Sequence, residues 1–206
     1  EPEQRTEKRT TGSDRFARVA RLDIVYKAPP GNTNDWYIAA VMMEVLGGGR
    51  SSRLYQRLVE EERAAVNVRG FLTERRGPSL IQILATPRSG TELADLERII
   101  YEEIEKMKEQ GVEAWEMEKI QMQMERRRAQ GMQSTLRRAI AIAENTLFYS
   151  DPNLINTVPE RFRRVTRGLV QRAAQVFLTE KNRTVVTTLP ASVGRARGRQ
   201  GPEGER

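Results

Sequence analysis

Apolar and polar positions alternate near the start of the chain. Phe16, Ala20, Leu22, Ile24 and Tyr26 fall on one side and Arg21 and Asp23 on the other, the period of a half-buried β-strand over 16–26. Ala28-Pro29-Pro30-Gly31 interrupts it, and Asn32, Thr33, Asn34 and Asp35 then offer N-cap side chains. The helix they open, Trp36 to Leu46, is apolar almost all round, so it should be buried on most sides. Gly47-Gly48-Gly49 ends it. A second helix, Ser51 to Arg63, turns Leu54, Leu58 and Val59 inward and Arg57, Glu60 and Glu61 outward. Two strand-like runs follow, Ala65–Glu74 and Leu80–Thr86. The turn signal Arg76-Gly77-Pro78 between them predicts an antiparallel hairpin.

The rest reads as helices and one closing strand. Thr91 caps a run to Gln110 in which Leu93, Leu96, Ile99, Ile100, Ile104 and Met107 recur at three and four. Gly111 stops it. The next run, Glu113 to Gln130, carries Trp115, Ile120, Met122 and Met124. A third, Ser134 to Tyr149, carries Leu136, Ile140, Ala143 and Leu147. Asp151-Pro152 starts a short helical piece, and Thr166 caps a run with Leu169, Val170, Ala173, Val176 and Phe177. The β-branched stretch Arg183–Leu189 reads as a last strand, closed by Pro190. Strands and helices are partly segregated. The expected class is α+β: a mixed, largely antiparallel sheet with helices layered on one face.

Both ends are polar. Residues 1–15 read as a linker from an N-terminal domain outside this sequence, 16–190 as one domain, and 191–206 as a basic flexible tail with Arg195, Arg197 and Arg199. No apolar run approaches the length that spans a bilayer. The net charge of +7 raises the question of nucleic acid. Its one compact cluster within the fold, Arg126–Arg127–Arg128, lacks neighbouring aromatics for base stacking and reads as a solvated helix face. The chain has no histidine and no cysteine. That removes the commonest zinc ligands and the commonest general base, and no carboxylate loop has metal-ligand spacing. Without histidine, no serine triad can be assembled. Glu60, Glu61 and Glu62 sit about 100° apart on a helix, so they do not converge on a substrate. Met122, Met124 and Met132 read as core filling.

One ordered set of stretches resembles a known family. LGGGRSSRLYQRLVEEERAAVNV at 46–68, then Gly111-Val112 with Glu116 and Lys119, then Val165-Thr166, Ala173, Phe177-Leu178, Asn182–Val186 and Pro190 are similar to the C-terminal, non-zinc domain of M16 peptidases. These include the pitrilysin, insulinase and mitochondrial processing peptidase groups. The resemblance implies a LuxS/MPP-like metallohydrolase fold. It also implies a parent zinc endopeptidase whose N-terminal domain holds zinc in a His-x-x-Glu-His motif, where the glutamate acts as base on a metal-bound water. The companion domain closes the chamber over an extended peptide, held by strand addition. This chain has no His-x-x-Glu-His, so the resemblance implies that no cofactor belongs to it and that the zinc belongs to the parent.

Family members also carry an arginine and a tyrosine seven residues apart, in a stretch close to Leu-Arg-Glu-Glu-Arg-Gly-Leu-Ala-Tyr. The aligned residues here are Leu58 to Val66, with Val59 at the arginine position and Val66 at the tyrosine position. Valine offers no hydrogen bond to an oxyanion. Some bacterial members divide the zinc site and this pair between two subunits, so a C-terminal domain without the pair fits the zinc-bearing subunit. Gly47, Gly48, Gly49, Arg50 and Arg53 are candidate substrate contacts. Their alternative reading is a helix C-cap followed by a solvated helix end. The implied partners are the chain's own N-terminal M16 domain, a homologous M16 subunit and a peptide, with an exported bacterial location as a family expectation. Two other readings remain: an assembly subunit of the same fold that has lost proteolysis, like the core subunits of a respiratory complex, and a basic nucleic-acid-binding domain.

Overall fold

The structure is a computed structural model and describes residues 4–191. Five strands form one sheet in the order β1-β5-β2-β4-β3. These are β1 (Lys8–Asp14), β2 (Arg21–Ala28), β3 (Ala65–Leu72), β4 (Ser79–Pro87) and β5 (Arg183–Pro190). Only the β1–β5 pair is parallel; β5–β2, β2–β4 and β4–β3 are antiparallel. The helices are α1 (Asn34–Gly47), α2 (Arg53–Tyr55), α3 (Leu93–Gln110), α4 (Ala114–Met132), α5 (Thr135–Tyr149), α6 (Leu154–Arg163) and α7 (Arg167–Phe177). The α+β class, the mixed sheet and the 65–87 hairpin are as expected.

The core lies on one side of the sheet. Leu22, Ile24 and Tyr26 of β2 and Ile81, Ile83 and Ala85 of β4 are buried against α1, α3 and α7. Those helices contribute Val41, Met42, Leu46, Leu96, Ile100, Val170 and Ala174. Thr33 caps α1, accepting from the Trp36 N–H at 3.2 Å, and Thr166 caps α7. Glu92, not Thr91, stands at the N-cap of α3.

The chain start departs from the sequence reading. Residues 8–14, expected within a linker, form β1, and Phe16, expected in a strand, lies in the turn beyond it. Asp14 makes that turn: its carboxylate accepts from the Phe16 N–H at 2.8 Å, a local bond that competes with strand extension. Phe16 is left exposed. β1 has no apolar alternation and no buried residue. It is held by its ladder to β5 and by a charged network, in which Glu7 pairs with Arg9 and Arg183 and Arg9 reaches Glu97 on α3. The proposed tail lies almost wholly outside the described residues.

Candidate functional site

The site expected at 47–66 begins where α1 meets β3. Gly47 and Gly70 touch through bare backbone: a Cβ on Gly47 would sit 2.6 Å from the Gly70 Cα, and one on Gly70 2.9 Å from the Gly47 Cα. Gly48 then caps α1, its N–H donating to the Glu44 carbonyl at 3.1 Å. Gly49 takes φ 97, a region where glycine has no Cβ penalty. Close packing and capping thus account for all three glycines. Ser52 is buried and turns back to Gly49, its hydroxyl donating to the Gly49 carbonyl at 2.6 Å. Arg50 is exposed, and its carbonyl accepts from Gln56 Nε2 at 2.7 Å.

Arg53 does not lie on a solvated helix end. Its Nε and Nη2 grip the Glu116 carboxylate at 2.8 and 2.6 Å, and Nη2 also donates to the Gly111 carbonyl at 2.9 Å. Glu116 additionally accepts from the Glu113 N–H at 2.8 Å, completing a reciprocal capping box at the start of α4. Lys119, one turn on, donates to the Ser51 carbonyl at 2.9 Å while lying over the Trp115 ring. Two stretches some sixty residues apart in the chain are therefore clasped together: Ser51–Arg53 and the α3–α4 turn. Burial alone would push the Glu116 carboxyl up, but the bonds from Arg53 and the Glu113 backbone outweigh it and hold it below the usual value. The same carboxylate raises the Arg53 guanidinium above its usual value.

After Tyr55 the helix widens to π-type over Gln56–Glu61, with the Glu62 N–H bonding the Arg57 carbonyl at 2.9 Å. Leu58 is buried and Val59 packs at the edge of the core. Arg57 pairs with Glu62 at 2.9 Å and reaches Glu61 at 3.8 Å, so the acidic run is a salt-bridged surface. Arg63 then adopts φ 51, a left-handed turn that feeds Ala64 and Ala65 into β3. Val66 sits at the bulge between Ala65 and Asn67 and is 60% exposed. Neither valine has a polar side chain to offer a substrate. Among the described residues no group of three His, Cys, Asp or Glu side chains could hold a metal ion. None of the described helices is long and apolar enough to cross a membrane.

Two further expectations are corrected nearby. The 126–128 arginines do not simply form a solvated face: Arg127 pairs with Glu44 of α1 at 2.6 Å, and Arg128 turns inward to the Ile155 carbonyl. Met122 is exposed, not core. It lines a groove of about 280 Å³ with Met124, Pro159 and Phe162. The sequence reading names Glu116 and Lys119 but not their partners; their spacing of three on α4 aims both at one neighbouring segment.

Residues 1–124 match the model of the peptidase M16 inactive domain. No curated protein matches the sequence. Among solved structures, a protease from Helicobacter pylori superposes with TM-score 0.85 at 18% identity over 92% of this chain and 46% of that one. The inactive peptidase domain assigned to a zinc protease of Bordetella parapertussis gives 0.78 at 23% identity, over 89% and 98%. A chain of complex III2 from Candida albicans gives 0.75 at 13% identity, over 88% and 45%. The chain thus spans about half the length of the Helicobacter and Candida proteins and nearly all of the Bordetella domain.

Proposed function

Because the chain belongs to the peptidase M16 inactive-domain family, we propose that it serves a zinc-dependent endopeptidase as the domain that encloses and docks an extended peptide and contacts the neighbouring M16 domain or subunit. The observation that carries this reading is the second face of the sheet. Register places Asp23 and Val25 of β2, Gln82 and Leu84 of β4, Arg69 and Phe71 of β3, and Thr184 and Val186 of β5 on the side away from the core. All remain half-exposed or exposed. A five-stranded sheet with one mixed, uncovered face suits the wall of a chamber, and β3, an edge strand, has an unpaired ladder to which an extended peptide can add.

On this reading the zinc and its general base belong to another domain, and the arginine and tyrosine replaced here by Val59 and Val66 come from a partner subunit. Of the glycine turn, Gly48 and Gly49, with Arg50, remain candidate peptide contacts, while Gly47 is buried against Gly70. Arg53 is committed to Glu116 and is not among them. Co-expression with a zinc-bearing M16 domain and a homologue that carries the arginine–tyrosine pair should give cleavage of an unstructured peptide, and omission of this chain should abolish it. Cleavage unchanged by its omission would refute the proposal.

A second reading, a non-proteolytic assembly subunit, is favoured by the two valines together with the likeness to the complex III2 chain. Stable association with a homologue, but no peptide cleavage in any combination, would select it.

A further inference from the structure

Helix α5 is amphipathic in the wrong sense. Its half-buried positions are Ala141, Asn145 and Tyr149, and the Tyr149 hydroxyl donates to Glu74 at 2.7 Å. None of its fifteen residues is buried. Leu136, Ile140, Ala143 and Leu147, which the sequence marks as an apolar stripe, face away from the protein. Leu136 and Leu147 are 70% and 72% exposed. At 100° per residue these four fall within about 60° of one another, opposite Asn145. Their spacing of four, three and four is the seam of a two-helix coiled coil. A stripe of this kind, left to water, marks a contact surface.

The charges beside the stripe say what fits it. Arg137 and Glu144 lie on the same flank, seven residues apart, and neither makes an ion pair within the described residues. In an antiparallel pairing of two copies, Leu136 meets Leu147 of the second copy and Ile140 meets Ala143. That register sets each Arg137 beside the other copy's Glu144, twice over by symmetry. A parallel pairing sets the flank of Arg137 and Glu144 against the other copy's Met132, Ala139 and Thr146 and makes no such pair. We propose that α5 is a self-complementary docking surface on which a second copy of this chain binds antiparallel about a two-fold axis, an isologous contact. A single helix face is smaller than the interface of a stable dimer, so the association is weak and concentration-dependent. This inference stands apart from the proposed function, because it is read by mass and not by peptide cleavage.

Sedimentation equilibrium across a concentration series tests it. The mass should rise from the chain's 23.6 kDa toward twice that value. Leu136→Glu/Leu147→Glu, at exposed positions that leave the fold intact by circular dichroism, should remain monomeric throughout. Arg137→Glu and Glu144→Arg should each weaken the dimer about tenfold, and the double variant, which restores opposite charges across the axis, should recover it. A monomer at every concentration would overturn the proposal. So would a dimer indifferent to the leucine changes or a double variant no better than the singles. If the chain alone stays monomeric but a zinc-bearing M16 domain binds it through the leucines, the occupant is that domain and the second copy is excluded.

Discussion

Replacing Arg53 by alanine removes both guanidinium bonds from the Glu116 carboxylate and the donor to the Gly111 carbonyl. What remains is a carboxylate with its side chain only 8% exposed and a single backbone donor from Glu113. Removing one partner of a buried ion pair costs about 3–5 kcal/mol. The Arg53 side chain is itself 18% exposed, so about 3 kcal/mol is expected. Urea unfolding followed by circular dichroism reads it: with a slope of about 2 kcal/mol/M, the midpoint falls by about 1.5 M at unchanged slope. Arg53→Met/Glu116→Leu leaves no buried charge and loses the capping box and the donor to the Gly111 carbonyl. It should cost about 1 kcal/mol, well under the single change.

The pH dependence has a definite sign. The Glu116 carboxyl is depressed in the folded protein, so its contribution is present above the ordinary carboxylate value and is lost as pH falls through the lowered folded value. In Arg53→Ala, burial instead pushes the carboxyl up, so the difference between the two proteins should shrink on acidification. A cost below about 0.5 kcal/mol at neutral pH, or a double variant worse than the single, would refute the clasp between α2 and the α3–α4 turn.

Three further outcomes follow. Gly70→Ala sets a Cβ 2.8 Å from Met43 Cε and 2.9 Å from the Gly47 Cα, so thermal unfolding should report a loss of about 2–3 kcal/mol. Arg63→Gly relieves the left-handed backbone at φ 51 and should stabilise by about 0.5–1 kcal/mol in the same assay. Glu7→Ala removes the carboxylate that joins Arg9 and Arg183. It should speed amide exchange in Lys8–Asp14 about tenfold while β2 and β4 keep their protection.

Periodicity made most of this fold legible. β2, β4 and the 65–87 hairpin follow from alternation and the Arg76-Gly77-Pro78 turn, and α3 follows from apolar recurrence at three and four. β1 was illegible because its order comes from backbone pairing with a strand about 175 residues away and from ion pairs, neither of which leaves an apolar trace. α5 shows the opposite limit: its stripe was visible, but a stripe does not say which way it faces. In the candidate site, the glycine turn and both valines were readable from the resemblance. The bond between Arg53 and Glu116 was not, since a local reading does not show that residues 53 and 116 meet. Arg63 could have been flagged, because the family stretch has a glycine at the aligned position and the backbone there is left-handed.

A peptidase M16 inactive domain with no metal-holding group among its described residues should contribute no metal chemistry of its own. Equilibrium dialysis of the purified chain against micromolar zinc, followed by metal analysis and incubation with an unstructured peptide, tests it most directly. Far less than one zinc per chain and no chelator-sensitive hydrolysis are expected. One tightly retained zinc per chain, with hydrolysis that a chelator abolishes and zinc restores, would contradict it.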